Sequence, residues 1–304
     1  MEADAVAGIG IAEGNVWVVA PLLAVDAPSM LFRGFYALPS SIKRPDGQPV
    51  NALLGAANLI LREVELRRPR AVVLCFGPDA AHYRVQLFPG YHAQREEEMP
   101  SELRDQWADC ADFYGAFGWE VASHESLEAD DLLGTYARLE AEAGGKALLL
   151  TGDRDMFQCV SGRVTMLYVR TGVSGAEEID PQEVKRRYGV PPELVPDFIA
   201  LRGDPSDGIP GAKGVGPKTA AELLRRHGSL EAVLENAIRE TRPRLRGALV
   251  EGREDLLAYK EIATLQDAGV KRPPDRDTDW SGAAEAARER GMERLAKRLE
   301  RAAG

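Results

Sequence analysis

The stretch Leu127–Gln158 reads LEADDLLGTYARLEAEAGGKALLLTGDRDMFQ. From Leu127 to Glu142 the apolar residues fall at helical spacing with charge between them, the pattern of an amphipathic helix. Two glycines follow, and Lys146 to Thr151 (KALLLT) is a compact apolar run of strand character that stops at Gly152-Asp153. The unit is a helix feeding a buried strand, with acids at both ends. Glu128, Asp130 and Asp131 sit where the helix begins, and Asp153 and Asp155 where the strand finishes.

The same alternation extends to both sides. Val16 to Val25 (VWVVAPLLAV) predicts one strand or two, interrupted by Pro21 and ending at Asp26. Asn51 to Glu65 predicts a helix, and Ala71 to Phe76 (AVVLCF) a strand broken by Gly77-Pro78-Asp79. Ser101 to Phe117 reads as a helix with Ser101 as N-cap, and Val164 to Val169 (VTMLYV) as a further strand. From Asp180 the pattern is helical, and it ends in one alanine- and arginine-rich helix, Ala283 to Ala302. Strands alternating with helices predict an α/β domain over residues 1–180, a mostly parallel sheet flanked by helices. A helical subdomain over 181–270 and a tail over 271–304 complete the chain. The connection from Asp79 to Pro100 is long enough to serve as a lid or binding loop.

Composition narrows the function classes. At 304 residues, 44% hydrophobic and 28% charged, the chain is an ordinary globular protein, neither disordered nor low in complexity. No run approaches the roughly 20 apolar residues of a membrane span, and the first ten residues carry acid where a signal peptide carries Lys or Arg, so a cytoplasmic protein without membrane contact is expected. Cys75, Cys110 and Cys159 lack metal or redox spacing and are expected to be reduced and inert. With 48 acidic against 38 basic residues the formal charge is −10, which at face value argues against a nucleic-acid partner.

Carboxylates nevertheless recur at the ends of apolar runs: Asp26, Asp79 beyond Gly77, Glu128 with Asp130 and Asp131, Asp153 with Asp155, and Asp204 with Asp207. Any one aspartate there reads as a helix cap or turn former. Grouped acids repel one another and need a cation or shared protons. Parallel sheets bring the C-terminal ends of their strands to one ligand-binding edge, so these groups are expected to meet. Oxygen donors without His or Cys favour Mg²⁺ or Mn²⁺, and the number of carboxylates suits two ions about 3.5 to 4 Å apart, the arrangement of metal-assisted phosphodiester hydrolysis. On a regular helix Glu128 and Asp131 share a face and Asp130 points elsewhere, so Asp130 must sit in a loosened first turn or act on a different metal.

The segment GAKGVGPKT, Gly211–Thr219, misses the P-loop pattern because Pro217 stands where the pattern is broken and no strand precedes it. It reads either as a plain turn between helices or as a sequence-independent phosphate grip, in which backbone N–H groups at Gly211, Gly214 and Gly216 are joined by Lys213 and Lys218.

Five segments, in order and at fitting intervals, resemble the structure-specific 5′ nucleases, the group of flap endonucleases and the 5′–3′ exonuclease domain of bacterial DNA polymerase I. They are VDAPSMLFRGFYAL, HYRVQLFPGYHAQR, LEADDLLGTYA, LLTGDRDMFQ and ALRGDPSDGIPGAKGVGPKTAAELL, spanning roughly Leu22 to Asp267. The resemblance implies a PIN-like nuclease core with a helical arch at about 79–100 and a helix-hairpin-helix type DNA clamp of helix-three-turn-helix form. It places metal ligands at Asp26, Glu128, Asp130, Asp131, Asp153, Asp155, Asp204 and Asp207. Arg33 and Arg84 would steer the scissile phosphate, and His92 and Arg95 belong to the arch motif. Tyr83, Tyr91 and the glycine turn would touch DNA, with a K⁺ ion at that turn. Implied with this are two Mg²⁺ or Mn²⁺ ions, 5′-flap or 5′-end DNA at junctions as substrate, work in replication and repair beside a separate DNA polymerase, and a monomeric state.

Two departures from the family pattern stand out. Phe76-Gly77 replaces the usual Phe-Asp, with Asp79 two residues on, and His92 replaces a lysine of the arch motif. They motivate an alternative, a DNA-junction-binding protein of weakened catalysis, in which Gly77→Asp would raise the rate. An RNA-preferring metal-dependent nuclease is a second alternative.

Overall fold

Every residue of the strand that ends in Asp26, β1 (Leu22–Asp26), is buried, and its alternate side chains enter two different cores. Leu22 and Ala24 join Leu132, Leu133 and Tyr136 on one face, while Leu23 and Val25 join Met30, Leu53 and Ile60 on the other. A strand covered on both faces reads as a continuous apolar run, which is why LLAV and AVVLCF look alike. The computed structural model describes residues 20–93, 99–170 and 175–304, so Val16 to Val19 of the expected first strand lie outside the described residues.

The sheet contains β1, β2 (Ala71–Phe76), β3 (Glu120–Ser123), β4 (Ala147–Thr151), β5 (Val164–Val169) and β6 (Ala176–Ile179), in the order β3-β2-β1-β4-β5-β6. All neighbours are parallel except β5 and β6. Chain order reverses between β1 and β4, which makes their C-terminal ends the switch point where such sheets hold ligands. Helices α1 (Ala27–Ala37), α2 (Asn51–Arg67), α3 (His82–Leu87), α4 (Ser101–Ala108), α5 (Cys110–Gly115) and α6 (Ala129–Glu142) make the crossovers. Pro100, not Ser101, takes the N-cap position of α4, and the expected single helix breaks at Asp109 into α4 and α5.

The helical half comprises α7 (Pro181–Tyr188), α8 (Val195–Arg202), α9 (Pro217–His227), α10 (Leu230–Glu235), α11 (Pro243–Glu251) and α12 (Arg253–Ala263). Beyond α12 the expected helical pattern fails. Residues 265–279 form no regular element and run back along the α/β half to α13 (Trp280–Glu289) and α14 (Glu293–Ala303). The tail is two helices instead of one, turned at Gly291 with φ +70°. Ala283, Ala287, Leu295 and Leu299 complete the core shared with α2, so the tail's apolar stripe is packing surface. Among the described residues no helix is long and apolar enough to cross a membrane.

Glu140 fastens this returning segment. Fully buried, its carboxylate accepts from Arg70 Nε at 3.1 Å and Arg70 Nη2, and from Arg272 Nε at 2.8 Å and Nη2 at 3.1 Å. Arg70 also donates to the Pro273 carbonyl at 2.9 Å and to Asp275 at 2.8 Å. Burial pushes the Glu140 carboxyl up, but the hydrogen bonds and charges of the two arginines outweigh it and the net shift is downward. Glu140→Gln leaves two guanidinium groups short of their counter-charge and should cost about 3 kcal/mol at neutral pH. Because the folded-state value is depressed, this stabilisation is full above the ordinary glutamate range and disappears as pH falls through and below it. Urea unfolding at pH 7 and again near pH 3 should show the gap between wild type and variant closing on acidification.

Candidate metal and phosphodiester site

Asp26 is both the last residue of β1 and the N-cap of α1. Its Oδ1 accepts from the Ser29 N–H at 3.0 Å and its Oδ2 from the Thr151 hydroxyl at 2.7 Å, across the β1/β4 seam. Thr151 Oγ1 in turn accepts the Asp153 N–H at 3.0 Å. Asp153 then caps the 3-10 turn Arg154–Cys159, accepting from the Asp155 N–H at 2.8 Å. Thr151 therefore orders acids from two strands. It was not picked out in the sequence, where its place between an apolar run and Gly152-Asp153 was the available signal.

These groups open onto a cavity of about 960 Å³ at the switch point. Asp26, Asp79, Glu128, Asp130, Asp153, Asp155 and Asp207 line it together with Arg33, Arg84, Tyr91 and His92. The expected meeting of Asp26, the Gly77 turn and Asp153 on one edge takes place. Asp204 is not on the cavity wall. Its carboxylate takes the Ser206 N–H at 2.9 Å and Arg202 Nη2 at 2.6 Å, shaping the turn that presents Asp207.

At the start of α6 the geometry reverses the sequence expectation. Asp130 faces the cavity, whereas Asp131 is fully buried and off its wall. Helical spacing does not apply across Glu128, because the N-cap residue has extended φ/ψ of −74° and 165°. From the N3 position, Asp131 reaches back to accept the Glu128 N–H at 3.0 Å. Its two oxygens also take Arg84 Nη1 at 3.0 Å, Arg84 Nη2 at 2.8 Å and the Gln266 N–H at 2.8 Å. Asp131 is thus a staple between α6, α3 and the returning segment, with its oxygens occupied. Glu128 accepts the Ala81 N–H at 2.7 Å and the Tyr91 hydroxyl at 3.0 Å while still bordering the cavity.

Arg84 also departs from its expected place. It is 2% exposed and commits its guanidinium to Asp131, to Glu128 at 3.0 Å and to the Ile262 carbonyl at 2.9 Å. A phosphate would have to displace buried partners to reach it. Arg33 is better situated: half-buried on the cavity wall, it lies over Gly152, where a Cβ would stand 2.0 Å from its Nη2. Tyr83 lies under the Arg84 guanidinium, 5.1 Å from ring centre to Cζ.

His92 adopts φ +53° and stacks on Tyr91 with ring centres 4.0 Å apart. Its Nε2 is 3.2 Å from Asp207 and its Nδ1 3.7 Å from Asp79. Arg95 lies outside the described residues. Gly77 is explained by close approach, since a Cβ there would stand 2.3 Å from the Leu127 carbonyl oxygen and 2.8 Å from the Ala129 nitrogen. The first turn of α6 occupies the space that a side chain at 77 would need.

The glycine turn stands apart from the cavity. Gly211 and Gly214 have φ of +69° and +77°, and Gly216 is the N-cap of α9. Lys213, Gly214, Gly216 and Lys218 are exposed. Gly211 packs on the Gly203 backbone, where a Cβ would meet Gly203 N at 2.3 Å.

The donor set suits a hard cation. Burial, then repulsion from Asp153, Asp26 and Glu128, pushes the Asp130 carboxyl well up, and burial followed by Asp153 and Asp207 does the same to Asp155. Burial and Asp207 raise Asp153 to about 6. Like charges held this close are strained as carboxylates until a cation joins them. Among the described residues, no three His, Cys, Asp or Glu side chains are already drawn into a ready-made metal cage.

Residues 21–189 match the family model of the 5′–3′ exonuclease N-terminal resolvase-like domain, and residues 190–278 match the 5′–3′ exonuclease C-terminal SAM fold. A 5′–3′ exonuclease of Mycobacterium tuberculosis is 39% identical over 236 residues, covering 71% of this chain and 74% of that protein. DNA polymerase I of the same organism is 36% identical over 256 residues, which cover 84% of this chain but 28% of the polymerase, so the chain spans little more than a quarter of that relative's length. A solved flap endonuclease of bacteriophage T5, in a pseudo-enzyme-product complex with DNA and metal ions, superposes with a TM-score of 0.68 at 16% identity over 92% of this chain and 98% of that one, a likeness of fold. With two consecutive domain models matched and a relative aligned over most of both chains, the protein belongs to the 5′–3′ exonuclease family.

Proposed function

We propose that the protein is a divalent-metal-dependent 5′–3′ exonuclease and 5′-flap endonuclease, hydrolysing DNA phosphodiesters near single-strand/double-strand junctions. The observation that supports it most is the convergence of Asp26, Glu128, Asp130, Asp153, Asp155 and Asp207 on one cavity beside Arg33. Asp26, Asp130, Asp153 and Asp155 are the main candidate ligands for two Mg²⁺ or Mn²⁺ ions, with Asp207 and Glu128 at the edges. When bound, such ions supply a water of lowered pKa and neutralise charge on the leaving oxygen. The chain's own residues do the positioning. Thr151 and Ser29 hold Asp26 in one orientation, Arg33 offers a guanidinium to a phosphate oxygen, and Tyr91 with His92 forms part of the cavity wall.

The helical half is proposed to grip the duplex backbone through the exposed glycine turn, Lys213 and Lys218, with K⁺ as a further ligand of that turn. Substrates would be 5′ flaps and 5′ ends arising in replication and repair, handled by a cytoplasmic monomer beside a separate DNA polymerase. The net charge of −10 is compatible with this, because the acids are gathered where a cation would mask them while the glycine turn stays basic.

The test is a labelled 5′-flap DNA duplex incubated with purified protein in Mg²⁺, in Mn²⁺ and in chelator. Cutting near the junction only with metal is expected, and falling off steeply with salt. A panel of flap, nicked and 5′-recessed DNAs left intact in both metals would overturn the reading, and faster cutting of matched RNA flaps would move it to ribonucleic acid.

A further inference from the structure

The segment Ala81–His92, which contains α3 and belongs to the long connection between β2 and α4, is bonded on two opposite sides. Toward α6, the Ala81 N–H and the Tyr91 hydroxyl both end on Glu128, and Arg84 ends on Asp131 and Glu128. Toward the helical half, Arg84 Nε donates to the Ile262 carbonyl in the last turn of α12, Phe88 meets Tyr259 edge-on at 5.2 Å, and the His92 N–H donates to the Asp207 carbonyl at 3.0 Å. Helix α12 packs along α8, whose C-terminus leads directly into the Asp204 turn and then the glycine turn.

We infer that Arg84 is a positioning residue that couples the seating of duplex on the helical half to the placement of Asp130 in the acidic cluster. This rests on the function proposed above and names how its two halves communicate. The connection runs from the Ile262 carbonyl through the guanidinium to Asp131 and Glu128, the residues that set the first turn of α6. Asp130 lies between them in that turn and faces the cavity. A buried, fully paired guanidinium transmits displacement because releasing any one partner strands a charge away from water. Lysine keeps the charge but cannot hold three acceptors in a planar fork.

Hydrogen exchange on wild-type protein in chelator, with and without a plain duplex that lacks a flap, tests the coupling without any catalysis. Protection is expected both at the glycine turn and at residues 128–133, and protection at the turn with no change at 128–133 would overturn the coupling. Arg84→Lys should keep the first and lose the second. On a flap substrate it should lower kcat roughly 10²-fold with KM within about threefold. A raised KM at unchanged kcat would instead make Arg84 a phosphate contact. A wild type that binds duplex with coupled protection but cuts nothing would sink the proposed activity and leave the coupling standing.

Discussion

Asp130→Ala is expected to abolish cutting of a 5′-flap duplex while leaving the protein at least as stable as wild type. Its neighbour's truncation, Asp131→Ala, is expected to destabilise the fold by about 3 to 5 kcal/mol. The two side chains are adjacent in sequence and have opposite surroundings. Asp130 faces the cavity amid Asp153, Asp26 and Glu128, and its charge is opposed by burial and by each of them. Removing it relieves repulsion in the metal-free protein and deletes a candidate ligand. A loss of about 4 kcal/mol of transition-state stabilisation corresponds to roughly 10³-fold in rate. Asp131 is fully buried and takes four hydrogen bonds, two of them from Arg84. Truncating it leaves that guanidinium inside the protein with Glu128 as its remaining carboxylate. Thermal unfolding in chelator and single-turnover cleavage in Mg²⁺ separate the outcomes. A stable, inactive Asp131→Ala beside an unstable Asp130→Ala would reverse the assignment made from the geometry.

How far the sequence could be read follows from which interactions are local. The strands β1, β2, β4 and β5 were legible because each is buried along nearly its whole length and so reads as a compact apolar run. Glu120–Ser123 and Ala176–Ile179 were not, since four-residue edge strands with polar side chains carry no periodic signal. The acids on the cavity were found from their positions at the ends of apolar runs. What separates Asp130 from Asp131 is the extended backbone of Glu128 and a guanidinium 47 positions away, neither of which is visible in helical spacing. Arg84 was placed at the scissile phosphate by the resemblance alone, and a motif match does not show that its side chain is buried. The return of residues 265–279 depends on Arg70, 203 positions from Pro273, and on Glu140, 132 positions from Arg272. Contacts of that range leave no local pattern.

Gly77→Asp, which puts an aspartate where the resemblance to the 5′ nucleases leads one to expect it, should damage the protein. Gly77 has an ordinary negative-side backbone, so the objection is contact and not φ. A Cβ there would sit 2.3 Å from the Leu127 carbonyl oxygen, 2.7 Å from the Glu128 carbonyl carbon and 2.8 Å from the Ala129 nitrogen. All three are backbone atoms of the turn that opens α6, so no rotamer change relieves the overlap. Overpacking of this kind costs about 3 kcal/mol when the neighbour cannot move aside. If α6 does shift, Asp130 shifts with it, and a displacement on the order of 1 Å costs roughly 10²-fold in rate. Gly77→Ala carries the same Cβ without the charge, and the two variants should therefore lose similar stability. Aspartate adds repulsion in a cluster whose carboxyls are already raised. Chemical unfolding of both variants beside flap cleavage decides the matter. A Gly77→Asp protein that unfolds like wild type and cuts faster would show that α6 yields and that the native site lacks a ligand. Loss in both variants would show that the close packing of the α6 turn leaves no room for a side chain just beyond β2, where Asp79 stands at the cavity mouth two residues on.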